Sequence, residues 1–194
     1  MNKVLMRLLA AAVVAFGAAS AGAQPLEIEG VKLEPTAQVG AAALVLNGAG
    51  VRTKVIFKVY VAGLYVPQKA RDATALLAQK GPRRISITML RNVDADSFSA
   101  SLNDGLRDNH SETQFAAMKA QLDGLTATLK TVGEAKKGDV IHFEYWPESG
   151  TRVTVNGTAR GAAIAGEEFF TAVLRIWLGD KPADSSLKKA LIGA

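Results

Sequence analysis

Between Leu26 and Leu33 apolar side chains recur at every second position, Leu26 with Ile28 and Val31 with Leu33, and the run breaks at Gly30 and Pro35. This predicts one or two edge strands up to Val39. Ala42–Leu46 predicts a short strand, and Asn47-Gly48 predicts the hairpin turn after it. Val51 to Pro67, rich in Val, Tyr and Phe, predicts one long strand bent near Lys54, and Ile85, Ile87 and Met89 predict another with one polar face. The period then lengthens. Asp72–Lys80 predicts a short helix stopped by Gly81-Pro82, and Asp94 predicts the N-cap of a helix with Phe98, Leu102 and Leu106 on one stripe. Ser111 opens a longer helix, with Phe115, Met118, Leu122, Leu125, Leu129 and Val132 at steps of three and four. Lys136–Asp139 reads as a solvated turn. Val140–Trp146 and Thr151–Val155 predict a hairpin, and Asn156-Gly157 leads to a short strand at Thr158–Arg160. Gly166–Leu178 predicts a helix with Phe169, Val173 and Trp177 on one side, and Asp184 or Ser185 caps a last helix through Leu191. No repeat or linker divides residues 24–194, so they read as one α+β domain. Its mostly antiparallel sheet would be covered on one face by helices.

Residues 1–23 break these patterns. Lys3 and Arg7 precede a continuous apolar run from Leu8 to Ala19, and Ala21-Gly22-Ala23 supplies the small residues of a cleavage site. The expectation is a signal peptide ending at Ala23, hence a periplasmic or secreted protein with no membrane span after cleavage. With no cysteine in the chain, neither a lipoprotein anchor nor a disulfide framework is available. The formal charge of +5 falls by two when Lys3 and Arg7 leave. With no Lys/Arg stripe among aromatics, nucleic acid is not expected as a partner.

The candidate chemistry is sparse. His110 and His142 are isolated histidines and make no zinc set. No Gly-x-Ser-x-Gly elbow appears. Gly48-Ala49-Gly50 lacks the third glycine of a phosphate loop and reads better as the hairpin turn. No cofactor is expected. What stands out is Arg52 at the entrance to an apolar strand, because a buried guanidinium needs an anion or several acceptors. It is half of a structural ion pair or the anion-gripping end of a pocket. Tyr60 shares its parity, but on a straight strand the two lie roughly 26 Å apart. Only a bulge or hairpin near Thr53-Lys54 would bring them together. Tyr65 has the opposite parity. Lys58 reads as a solvated strand lysine, Thr88 as a hydroxyl available from the next strand, and Phe169 and Trp177 as core.

Together the run Leu46–Arg52, the strand Phe57–Val66 and the ending Trp177-Leu178-Gly179-Asp180 with Ser186-Leu187-Lys188 resemble the chalcone isomerase superfamily, most of all its exported bacterial members. The resemblance covers nearly all of residues 24–194 and implies an open-faced β-sandwich, a large antiparallel sheet with a helical layer. In the plant isomerases the matching arginine holds the substrate phenolate, and Arg52 stands in that place. Tyr60 occupies the place of a threonine that helps polarise the ketone. The Tyr, Lys and Asn of the plant enzymes fall nearest to Phe98, Ser101 and Gly105, so those three groups are missing. The fatty-acid-binding branch keeps an arginine and a tyrosine for a carboxylate, and Arg52 with Tyr60 looks like that pair. The resemblance thus implies a non-catalytic pocket for a small amphipathic acid. Its carboxylate would sit at Arg52 and Tyr60, near Thr88. Its tail would lie between the sheet and the helices bearing Phe98, Leu102, Phe115 and Phe169. An isomerase of chalcone-like, phenolic ketones that uses Arg52 and Tyr60, and an envelope protein without a ligand, are the two alternatives.

Overall fold

The computed structural model describes residues 24–194; the expected signal peptide lies outside them. Three short strands come first, β1 (Leu26–Ile28), β2 (Val31–Leu33) and β3 (Thr36–Val39), with breaks at Glu29-Gly30 and at Pro35. Then come the long strands β4 (Ala42–Lys54) and β5 (Phe57–Val66), helix α1 (Ala73–Ala78), β6 (Arg83–Met89) and the two-residue β7 (Val93–Asp94). Three helices follow, α2 (Ala95–Asp108), α3 (Glu112–Ala117) and α4 (Lys119–Lys130). The chain closes with β8 (Glu134–Ala135), β9 (Val140–Trp146), β10 (Gly150–Val155), β11 (Thr158–Ile164), α5 (Glu167–Leu178) and α6 (Ser185–Leu191).

Seven strands form one antiparallel sheet in the order β11-β10-β9-β6-β5-β4-β3. The helices cover one face of this α+β fold, where Ile85, Ile87, Phe143 and Val153 meet Leu106 of α2, Leu125 of α4 and Phe169 and Trp177 of α5. On the other face the β1–β2 hairpin lays Leu33 over a smaller cluster of Val39, Leu44, Leu46, Val61 and Tyr65. Because β5 lies under both layers, its residues from Val59 to Val66 are all buried. β6 alternates between buried and half-buried, as expected for a strand with one polar face.

The structure moves two features. Asn47-Gly48 is not a turn: β4 runs through it with a bulge between Leu46 and Gly48, and the hairpin turns instead at Val55-Ile56. The reason lies far along the chain. A Cβ on Gly48 would stand 2.2 Å from the carbonyl oxygen of Ala190, and one on Gly50 would stand 2.7 Å from the Ala190 methyl. The glycines are the groove into which α6 packs, and Asn47 fixes the contact by donating to the Leu191 carbonyl at 2.7 Å. The second shift is in the helix opened by Ser111, which caps it as expected and does so in a capping box with Gln114. It divides at Met118 into α3 and α4, so that Phe115 reaches under Arg107 of α2 while Leu122, Leu125 and Leu129 face the core.

Candidate functional site

The bulge at Asn47 decides where Arg52 points. Leu44 and Leu46 face the β1–β2 cluster, but beyond the bulge Gly48 and Gly50 face α6, and Arg52, two residues on, follows them to the helical side. The turn at Val55-Ile56 then folds β5 back, with a second irregularity between Arg52 and Thr53, and pairs Arg52 directly with Tyr60 across the ladder. This is the kind of bend that the two residues require in order to meet, placed two residues beyond Thr53-Lys54.

Tyr60 is buried, and its oxygen accepts a hydrogen bond from Trp177 Nε1 at 2.8 Å. Burial pushes its phenol up from the ordinary value, outweighing the opposing effects of the Arg52 charge and the Trp177 N–H, so Tyr60 is a neutral hydroxyl. The Arg52 guanidinium carbon stands 5.5 Å from the centre of the Tyr60 ring. No described carboxylate pairs with Arg52, and its Nε is buried without an acceptor. The acid whose charge Arg52 senses is Asp184, which is already engaged: it accepts from the backbone N–H groups of Thr53, Ser186 and Leu187 at the start of α6. Burial would raise the Asp184 carboxyl, but those three bonds, helped by Arg52, hold it below the usual range.

Arg52 forms part of the wall of a cavity of about 400 Å³ between the β4–β5 hairpin and the start of α2. The volume lies within the range of small-molecule pockets, roughly 300–1,000 Å³. Its apolar wall comes from Phe57, Val59 and Phe98, its hydroxyls from Ser97 and Ser101, and a second guanidinium from Arg91. A larger cavity of about 590 Å³ opens between α4 and β11, but small residues such as Gly124, Ala127 and Gly161 line it and no charged group faces it. Nothing in its wall would orient an ionised ligand. The Arg52 cavity therefore carries the chemistry, although it is smaller.

The remaining expected site residues scatter. Phe98 reaches the cavity. Leu102, one turn on, is packed in the core at 4% exposure. Thr88 pairs with Val61 and alternates with the helix-facing Ile87 and Met89, which puts it on the opposite face of the sheet from Arg52. Tyr65 also lies on that face, donating to the Glu34 carbonyl at 3.0 Å, and Lys58 pairs with Glu29. Phe169 and Trp177 are core, and Phe115 lines a separate opening beside Arg107. The space between sheet and helices is filled by these side chains, so an apolar tail leaving Arg52 would run toward Phe57 at the hairpin tip. Ser101 faces the cavity, whereas Gly105 packs against Ile176. Among the described residues no metal-binding cluster occurs, and burial together with Arg84 lowers His142 to about 4 despite the nearby Glu144. Sequence reasoning missed Arg91, whose position after β6 is set by the strand pairing alone.

A large antiparallel sheet with a one-sided helical layer and an arginine-bearing cavity defines the class of protein. A family model described as chalcone isomerase-like matches residues 24–193, and the chain belongs to that family. Among solved structures it is similar to a fatty-acid binding protein of Arabidopsis thaliana, with a TM-score of 0.65 and 14% identity over 87% of this chain and 96% of that one. At that identity the likeness is one of fold. No curated protein matches the chain at a significant level.

Proposed function

We propose that the protein binds a small amphipathic acid, such as a fatty acid, with the carboxylate on Arg52 and the chain along Val59, Phe98 and Phe57. The observation that carries this reading is the buried Arg52 Nε without an acceptor, on the wall of a cavity of suitable size. A carboxylate there would supply the missing acceptor in a charge-assisted bond. Tyr60 serves as a positioning residue: held by Trp177, its ring backs the guanidinium. The fold shared with a plant protein described as fatty-acid binding supports the choice of ligand class. The signal-peptide pattern in residues 1–23 supports a site of action in the periplasm or outside the cell.

The test is to purify the protein from its native envelope without denaturation and to analyse its organic extract by mass spectrometry beside Arg52→Leu. A stoichiometric acid that vanishes in the variant is the expected result. Empty extracts from both would remove the binding reading. Stereoselective ring closure of a chalcone that depends on Arg52 would then move the site to isomerase chemistry, with Arg52 acting by electrostatic stabilisation.

A further inference from the structure

The hairpin tip between β4 and β5 puts three consecutive apolar residues into water: Val55 is 89% exposed, Ile56 79% and Phe57 54%. Among the described residues Leu26 is the one other large apolar side chain left exposed, so the exposure is concentrated at this point. The turn also runs against local preference. Two-residue hairpin turns favour Asn, Asp and Gly because they need positive φ, yet Val55 holds φ at 59°, an outlier for a β-branched residue. A glycine at position 55 and a polar residue at 56 would close the same turn with less strain and take two of the three apolar side chains out of water. Folding alone gives no reason for Val-Ile here, and strain held at an exposed point marks a site of use.

The surroundings are basic. Lys54 precedes the turn, and the Arg91 guanidinium stands 4.7 Å from the centre of the Phe57 ring. No described carboxylate pairs with either. Of the nearby acids, Glu29 pairs with Lys58, Asp94 on the cavity wall caps α2, and Asp184, which accepts from the Thr53 N–H, caps α6.

We propose that the β4–β5 tip is a docking finger for an anionic lipid bilayer. Val55, Ile56 and Phe57 enter the acyl boundary, and Lys54 and Arg91 meet the lipid phosphates. An apolar point behind a basic collar matches the order of layers met on approaching such a membrane. A protein partner fits less well, because a stable interface covers about 800 Å² on each side and this is a narrow projection. No described helix is long and apolar enough to cross a membrane, so the contact is peripheral. Val55 and Phe57 also line the Arg52 cavity, so docking turns its mouth toward lipid. That consequence rests on the acid-binding reading, whereas docking itself does not.

The absence of cysteine makes the test direct. Ile56→Cys and Lys119→Cys, the latter on α4 over the far edge of the sheet, each carry one polarity-sensitive fluorophore. Vesicles of phosphatidylglycerol and phosphatidylethanolamine should shift the probe at 56 to the blue and leave the probe at 119 unchanged. Co-sedimentation should fall about fivefold or more on pure phosphatidylcholine, the scale set by one cation at an anionic surface. It should fall about tenfold in unlabelled Ile56→Asp, which removes one buried aliphatic side chain and adds a repelled charge. An unshifted probe at 56, or an Ile56→Asp that sediments like the parent, overturns the proposal. So does a dimer that Ile56→Asp abolishes, which would assign the tip to self-association. Ile56 is outside the cavity wall, so Ile56→Asp should melt like the parent and still bind oleate in vesicle-free solution. Arg52→Leu should do the reverse, losing oleate while still docking.

Discussion

Arg83 and Arg52 face the same helical layer from strands on either side of β5, yet their surroundings have opposite characters. Arg83 is fully buried and fully satisfied. Its Nη2 meets Glu167 at 2.7 Å, its Nε donates to the Gly81 carbonyl at 3.1 Å and its Nη1 to Thr171 at 3.4 Å, between the rings of Tyr145 and Phe170. Burial lowers its guanidinium, and the Glu167 charge opposes that shift. Arg84, on the polar face, is equally engaged, donating to Glu144 and to the Gln38 carbonyl, each at 2.6 Å. Arg52 has a tyrosine ring, a cavity and no acceptor for its buried Nε. Arg83 and Arg84 thus have the partner sets of structural arginines. Arg160 Nε, beside a cavity of about 220 Å³, is also buried without an acceptor. What points to a ligand at Arg52 is therefore the incomplete set together with a larger cavity that has an apolar wall.

The sharpest way to break this contrast is at the satisfied arginine. Glu167→Ala removes the counter-charge of Arg83 and the acceptor of the Gly81 N–H at once. A loss of about 3–5 kcal/mol is expected, the range for stranding one member of a buried pair. Denaturant unfolding with an unchanged m-value measures it. A loss below about 1 kcal/mol would mean that Arg83 is no anchor, and the contrast would lose its reference.

The Arg84 network gives the next effect, through pH. Burial, with Arg84 beside it, holds His142 at about 4, against 6.5 for an ordinary histidine. The unfolded chain thus takes up the proton below pH 6.5, but the folded protein does so only near pH 4. Stability is complete above 6.5, falls as the pH drops toward 4 and then levels, by up to about 3 kcal/mol. The difference in unfolding free energy between parent and His142→Gln should have that shape. A flat difference would show His142 to be solvated and the network loose.

At the incomplete site the expected losses are smaller. Tyr60→Phe leaves the buried Trp177 N–H without its acceptor, which costs about 1–3 kcal/mol of stability. As a positioning residue, Tyr60 should weaken oleate binding by less than about tenfold when changed, while thermal melting drops clearly. A variant that melts normally but binds far more weakly would make Tyr60 a direct ligand contact instead.

These residues also show what can be read from sequence. Most sheet strands and the N-caps at Asp94 and Ser111 follow from periodicity and cap chemistry, which are local. The expected single strand Val51–Pro67 is instead two strands joined by a turn, and the Arg52–Tyr60 pair rests on the family resemblance. The route between Arg52 and Tyr60 is not local. Asn47-Gly48 has the composition of a turn, but the side chain and carbonyls of α6, some 140 residues later, hold it in a bulged strand. The true turn, Val55-Ile56, carries no turn signal at all. Removing the bulge would reverse every face beyond it, so pattern alone could not assign Arg52 to the helical side. Thr88 faces away because its two neighbours, Ile87 and Met89, are core. That parity is written in the sequence, but using it to exclude Thr88 from the site requires knowing which face holds Arg52.

The smallest expected loss of stability is the most discriminating. Arg52→Leu removes a ring contact worth about 0.5–1 kcal/mol and, with it, a buried donor whose missing partner costs about 1–3 kcal/mol. The two oppose, so stability should stay level or rise by up to about 2.5 kcal/mol. Acid binding should respond quite differently, because a charge-assisted bond is worth about 1.5–3 kcal/mol, or roughly ten- to 150-fold in affinity. Thermal melting and oleate titration on the same preparation separate the two. If Arg52→Leu instead unfolds as readily as Glu167→Ala, Arg52 belongs with Arg83 as a structural residue. The cavity beside it would then be a gap in packing rather than a site.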